Sequence, residues 1–170
     1  IVHHVAATID NLPRKQVSQR LMPVKSPPGH FLVTREGKTI YIDPNNYRRY
    51  TPYVRLIEAV SAKQLVTVYA YFYPLFQQAY EHLGYPHGYF NDRLIEVIDN
   101  LLATPDVRGP IKLIQPNVVY KFADPALERL SAGQKILIRM GNGNAAKIKA
   151  KLREIRRLLT SGSGELPAHK

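Results

Sequence analysis

The stretch LGYPHGYFNDRLIEVIDNLLATP, from Leu83 to Pro105, concentrates residue types that can do chemistry. His87 lies in a glycine-bounded turn, and Asp92 and Glu96 follow it at the i, i+4 spacing of one helix face. A histidine near two carboxylates can bind a divalent cation or supply an acid/base pair, so these residues define one hypothesis: a hydrolase or metal-dependent enzyme. The alternative is a surface-turn histidine followed by the solvated face of an amphipathic helix.

The remainder of the sequence contains no stronger catalytic pattern. The six histidines do not follow HExxH spacing, cysteine is absent, and there is no G-x-S-x-G nucleophile elbow. We therefore expect a non-enzymatic protein with no catalytic residues, no metal site and no cofactor, and the enzyme hypothesis remains the alternative.

Most of this stretch is explained as the joint between two helices. Gly84 is suited to the left-handed conformation that ends a helix, Pro86 prevents the helix from resuming, and Asn91 is a candidate N-cap for the next one. The joint nevertheless carries more functional side chains than a turn requires. We predict that these form a recognition lip for a partner: Tyr85, His87, Tyr89 and Arg93.

The net charge of +11 is concentrated at the two ends of the chain. Residues 1–49 contain eight Lys or Arg against three Asp or Glu, and residues 131–170 contain nine against two, whereas residues 50–130 contain seven against eight. Two basic flanks favour an anionic partner, such as an acidic protein face, a polyanionic envelope polymer, an acidic lipid or a nucleic acid. The alternative is that the basic charge only keeps the protein soluble.

The segment MGNGNAAKIKAKLREIRRLL, Met140–Leu159, is the strongest electrostatic platform. Gly141 ends one helix and Asn144 is the candidate cap of the next, and the loop lacks the G-K-[ST] ending of a phosphate-binding P-loop. The last helix has an apolar stripe of Ile148, Leu152, Ile155 and Leu159 flanked by cations. We predict a partner-contact surface on this helix, formed by Lys147, Lys151, Arg153, Arg156 and Arg157.

Nucleic-acid binding through the basic flanks is a third hypothesis. Three tyrosines alternate with arginines between residues 47 and 55, and aromatic rings among arginines can stack on single-stranded bases. Tyrosines at helical spacing also fill the edge of a core, and the sequence shows no established nucleic-acid-binding motif.

The pattern of caps and apolar periodicity predicts an α+β, mainly α fold: a bundle of about five or six helices with a small β component near the N-terminus and before Asp124. Residues 1–160 form one expected domain, with an irregular, β-rich arm over 1–50, a helical core over 51–160 and a flexible tail over 161–170. A hairpin is predicted around Glu36-Gly37, and capping serines are predicted at Ser61 and Ser131.

The longest predicted helix runs from Ser61 to about Leu83 and contains Pro74, which is expected to kink or split it. Its apolar residues at 3–4 spacing predict one buried face. That face comprises Leu65, Tyr69, Phe72, Phe76, Tyr80 and Leu83.

Two segments carry a resemblance that extends from Ile9 to the last helix. YPLFQQAYEHLGYPHGYFNDRLIEVIDNLLATP and QPNVVYKFADPALERLSAGQKILIRMG resemble a proteobacterial family, domain of unknown function family 3014. The resemblance implies that a hydrophobic anchor helix and a proline/alanine-rich linker, both absent from this sequence, precede the domain. The domain would then project from the inner membrane into the periplasm, although the fragment itself has no apolar run of the roughly 18 residues that span a membrane and is expected to be soluble. No functional residue can be transferred from the family.

Overall fold

A computed structural model describes residues 1–16, 20 and 26–162 of the chain. Over these residues the protein has seven helices and one four-stranded sheet, which confirms the α+β, mainly α class. The helices are α1 (Val2–Asn11), α2 (Asn45–Ala59), α3 (Ala62–His82), α4 (Phe90–Leu102), α5 (Pro125–Glu128), α6 (Ala132–Met140) and α7 (Asn142–Thr160). The strands are β1 (Val33–Glu36), β2 (Thr39–Ile42), β3 (Lys112–Ile114) and β4 (Lys121–Phe122).

The predicted hairpin is confirmed as β1 and β2, and it forms half of a larger sheet. All neighbouring strands are antiparallel in the order β1-β2-β3-β4, and Ile40 of β2 lies opposite Leu113 of β3. Leu113 in turn lies opposite Phe122 of β4, so these apolar side chains share one face of the sheet. That face packs against Ile138 of α6. The two β segments of the sequence are therefore one element that covers one side of the helices.

The helix after the hairpin begins earlier than residue 51, where we predicted the start of the helical core. α2 starts at Asn45, where the backbone N–H hydrogen-bonds to Asp43 Oδ1, so Pro52 lies inside the helix. Pro52 is exposed, and its missing donor therefore leaves no unpaired carbonyl in the core. Asn46 is fully buried and bonds both backbone polar groups of Leu32, which holds the start of α2 beside β1.

α3 confirms the predicted cap at Ser61, whose Oγ accepts the backbone N–H of Gln64. The helix continues through Pro74 without splitting. The predicted buried face, however, is only partly correct. Leu65 and Phe72 are 39 % and 42 % exposed, and the residues that α3 buries are Ala62, Val66, Tyr73, Ala79 and Tyr80.

Two predicted asparagine caps are wrong. Tyr89 is the N-cap of α4, and Asn91 lies inside the helix, buried, with its Oδ1 accepting the Tyr69 hydroxyl. Gly141, at φ 84°, is both the end of α6 and the N-cap of α7, so α7 begins before Asn144. In both cases the asparagine side chain bonds to a residue far away in the sequence instead of capping its helix. Asn91 bonds to Tyr69, and Asn144 Nδ2 donates to the carbonyl of Tyr47.

α7 is the central helix of the bundle. It packs against α2, α3, α4 and α6, and its predicted apolar stripe contributes to the packed clusters around Val54 and Val66. α1 covers the C-terminal half of α3, where Ala6 is buried among Tyr73, Ala79 and Tyr80. The predicted tail lies outside the described residues from 163 onward. Over the part of the chain that the structure describes, none of the helices combines the length and apolar character needed to cross a membrane.

Candidate functional site

The joint between α3 and α4 is a closed turn that is bonded back to α3. Gly84 adopts φ 105°, as expected for the residue that ends the helix. The Tyr85 ring then stacks on Tyr80 of α3, with centroids 4.5 Å apart. Gln77 joins the turn to the start of α4, because its side chain donates to the carbonyl of Gly88 and accepts the backbone N–H of Phe90.

A buried carboxylate, Asp10 of α1, organises two of the predicted lip residues. Arg93 Nε lies 2.9 Å from Asp10 Oδ1, and Arg93 also donates to the Asp10 carbonyl. The Tyr85 hydroxyl lies 3.4 Å from Asp10 Oδ2 and accepts a hydrogen bond from Arg14 at 2.7 Å. Burial alone would lower the pKa of Arg93, but Glu96 and Asp10 raise it above its usual value, so the guanidinium stays charged.

This network gives two of the four predicted lip residues, Tyr85 and Arg93, a structural role. Tyr85 and Arg93 fasten α1 to the joint, whereas His87 is exposed and Tyr89 is half-buried at the start of α4. Sequence reasoning missed Asp10. The only local signal was Arg14 four residues later, since the partner that matters most, Arg93, is 83 residues away.

The residues of the enzyme hypothesis have separate surroundings. Glu96 Oε1 pairs with Arg93 at 2.8 Å, and His87 is exposed in the turn. Asp92 is half-buried near α3. Burial, together with smaller electrostatic contributions from Tyr73 and then Asp92, raises the pKa of Tyr69 well above its usual value. Among residues 1–16, 20 and 26–162, no group of three histidine, aspartate or glutamate side chains could hold a metal ion.

Three of the five cations predicted on α7 bond to neighbouring elements. Lys151 donates to the carbonyl of Val60, at 2.8 Å, just after α2. Lys147 pairs with Glu58 of α2 at 3.2 Å. Arg156 forms a two-pronged contact with Asp99 of α4, with 3.0 Å between Nη2 and Oδ2, and this hydrogen bond lowers the pKa of Asp99.

A fourth cation of α7, Lys149, is buried and was not predicted to have a special role. Its Nζ donates to the carbonyl of Thr104 at 2.6 Å and pairs with Asp106 Oδ1 at 3.1 Å. These groups lie just beyond the C-terminus of α4, where carbonyls lack helical partners. Lys149 therefore ties α4 to α7 from inside the bundle.

The other two predicted cations, Arg153 and Arg157, lie on the solvent side of α7. Both are exposed, and neither forms an ion pair within the described ranges 1–16, 20 and 26–162. Their i, i+4 spacing places both guanidiniums on one face, and the small side chains of Ala146 and Ala150 leave that face open.

Residues 141–143, at the junction of α6 and α7, border a cleft of about 480 Å³, whose other side is formed by Tyr47 of α2, residues 107–109 and Ile111. A Cβ at Gly141 would lie 2.7 Å from the Tyr47 ring, so glycine is needed there for packing as well as for its positive φ. The side chain of Asn142 donates to the Val107 carbonyl, so it joins the start of α7 to the segment that follows α4.

Two of the three tyrosines between residues 47 and 55 fill the edge of the core. Tyr47 and Tyr50 pack against the two clusters on either side of α6, and burial raises the pKa of Tyr47. Arg49 donates to the carbonyls of Pro27, Pro28 and Gly29. Tyr47, Tyr50 and Arg49 therefore do not present a stack of aromatic and arginine side chains to single-stranded bases.

Comparison with known families agrees with the resemblance found in the sequence. The model of the family described as protein of unknown function (DUF3014) matches residues 1–156. The chain belongs to this family. No curated protein and no solved structure matches this chain. The site residues are therefore assigned from the geometry of the chain itself.

Proposed function

We propose that this domain is a non-enzymatic binding module whose partner is anionic and is contacted through Arg153 and Arg157. The observation that carries the proposal is the difference in environment among the cations of α7. Lys147, Lys151 and Arg156 bond to groups of the protein itself, whereas the two arginines project into solvent.

A guanidinium that already has a carboxylate partner gains little from a second anion, because the first contact must be weakened. Arg153 and Arg157 have no such partner among the residues that the structure describes, and the planar guanidinium suits bidentate contact with carboxylate, sulfate or phosphate groups. The excess of +7 over residues 131–170 attracts such a partner from a distance.

Binding to a sulfated polymer such as heparin, followed by capture of acidic components from envelope extracts, tests this proposal. The double variant Arg153→Glu/Arg157→Glu should lose binding to both. The matched control is Arg48→Glu/Arg55→Glu, because both of these residues are exposed on α2 and the change in net charge is the same. An equal loss in the two double variants would show that only net charge matters and would reject the specific surface.

The proposed cellular position follows from the family resemblance. We propose that the domain is held at the inner membrane by a segment outside this sequence and faces the periplasm of a proteobacterium. The support for this proposal is the anchor helix and linker that the resemblance implies before the domain. A topology reporter fused to the C-terminus of the full-length protein should be active only in the periplasm, and reporter activity in the cytoplasm would contradict it.

A further inference from the structure

α3 carries an apolar, uncharged face that the rest of the bundle leaves open. Residues 64–80 contain no Asp, Glu, Lys or Arg, although the chain as a whole has a net charge of +11. Five large side chains of this stretch are substantially exposed: Leu65 (39 %), Val68 (56 %), Tyr71 (79 %), Phe72 (42 %) and Leu75 (48 %). An apolar face of this size on a protein surface typically marks an interaction site.

The spacing of four of these residues is that of a coiled-coil seam. Leu65, Val68, Phe72 and Leu75 follow one another at intervals of three, four and three, which are the a and d positions of two heptads. Ala79 is the next a position, and it is buried in the cluster that contains Ala6 of α1. The four residues before Ala79 in this pattern are exposed over the part of the chain that the structure describes, so the seam is covered at its C-terminal end and open before it.

We infer that a second copy of this chain occupies the open seam, with the two α3 helices antiparallel about a two-fold axis. The pattern is symmetric about residue 70. An antiparallel pair therefore places Leu65 against Leu75 of the second copy and Val68 against Phe72, and every contact occurs twice. Tyr71 lies near the axis, opposite its own equivalent.

The charge distribution favours a second copy at this face. Two copies of a protein with a charge of +11 repel each other, so a shared interface needs a surface without cations. The positions flanking the seam on its open side are Gln64, Tyr71 and Gln78, which are uncharged and able to hydrogen-bond to one another. No cation of one copy meets a cation of the other along this stretch of α3.

The area of the seam predicts a weak association. The five exposed side chains offer roughly 500 Å² per copy, or ~1,000 Å² for the pair, which is near the lower limit for specific interfaces. We therefore expect a dissociation constant of about 1–100 μM. This inference is independent of the proposed anion binding, because Arg153 and Arg157 lie on another helix.

Cysteine cross-linking tests the inference cleanly, because the chain has no cysteine of its own. Tyr71→Cys should form a disulfide-linked dimer under mild oxidation. Val68→Cys and Phe72→Cys should cross-link to each other when mixed. The control is Thr67→Cys, which is exposed on α3 at a heptad position facing away from the seam and should remain monomeric. Equal cross-linking of Thr67→Cys and Tyr71→Cys would overturn the proposed geometry.

Sedimentation equilibrium measures the same association without a cross-link. Val68→Glu should raise the dissociation constant at least about tenfold, because a carboxylate would be buried against apolar side chains. Arg153→Glu/Arg157→Glu should leave the dissociation constant unchanged, which separates self-association from anion binding. Circular dichroism verifies that each variant is folded. An unmodified chain that is monomeric at several hundred micromolar would overturn the inference and leave the face to a different protein.

Discussion

α3 and α7 are the two longest helices, and their surfaces differ from what their compositions suggest. α7 is rich in lysine and arginine, yet Lys149 is buried and three further cations bond to carbonyls or carboxylates of neighbouring elements. α3 has an uncharged apolar run, yet Leu65 and Phe72 of its predicted buried face are exposed. The charge of a side chain therefore indicates its exposure less reliably than its position in the bundle does, because a cation with a hydrogen-bond partner can lie inside a bundle.

This difference has a common cause in the position of each helix. α7 is surrounded by four helices, so its long cationic side chains reach the ends of α2 and α4 and satisfy carbonyls there. α3 lies at the side of the bundle, and five of its large apolar side chains are exposed. The cationic side chains of α7 thus hold neighbouring helices together, whereas α3 presents apolar side chains to solvent.

The largest expected effect is at Lys149. Replacement by Met removes the bond to the Thr104 carbonyl and leaves that carbonyl buried, which should lower the free energy of unfolding by about 2–4 kcal/mol. Lys147→Met, two residues away and half exposed, should change it by less than ~0.5 kcal/mol. Urea unfolding measures both. Similar values for the two lysines would contradict the distinction between a buried cation that holds the bundle together and an exposed, paired one.

A second matched pair lies on α3, where Val66 is 6 % and Val68 is 56 % exposed. Val66→Ala should be less stable than Val68→Ala by about 2 kcal/mol, since only the first leaves a cavity. The gain in helix propensity, about 0.5 kcal/mol, is the same in both variants and cancels. Thermal unfolding at low micromolar concentration excludes a contribution from a second copy. A larger loss at Val68 would show that the open face is closed within one chain.

A smaller effect is expected at Lys151, which bonds to the Val60 carbonyl at the end of α2. Lys151→Gln should cost about 1 kcal/mol of unfolding free energy, whereas Arg153→Gln should be nearly neutral, within ~0.5 kcal/mol. In the polyanion assay the order reverses: Arg153→Gln weakens binding and Lys151→Gln does not. A variant that changed both properties equally would contradict the separation of roles on α7.

The smallest effect concerns the Asp99–Arg156 pair and depends on pH. Arg156 lowers the pKa of Asp99 in the folded state, so the pair stabilises the protein above the ordinary aspartate pKa, near 4, and the contribution is lost as the pH falls through the lower folded value. The difference in urea midpoint between the unmodified chain and Asp99→Asn should therefore be constant from pH 7 to 5 and shrink toward pH 3. A difference that grew in acid would reverse the sign of this linkage.

Local hydrogen bonds explain which features could be predicted. The caps at Ser61 and Ser131 are confirmed, because each serves a backbone N–H only three residues away. Asn91 and Asn144 have the same side chain chemistry but bond to Tyr69 and Tyr47, which lie far away along the chain. The predicted contact role of the joint and of α7 stays a prediction, now concentrated on Arg153 and Arg157.

The sequence by itself determined the fold class, the family, the hairpin and the caps at Ser61 and Ser131, because those depend on residues within a few positions of each other and on residue patterns that the family model matches. Only the tertiary structure decided which side of α3 is buried and which cations are already paired. The physical reason is that burial and pairing depend on what lies across the bundle. Asp10, which pairs with Arg93 from 83 residues away, gives part of the predicted recognition lip a structural role between α1 and α4.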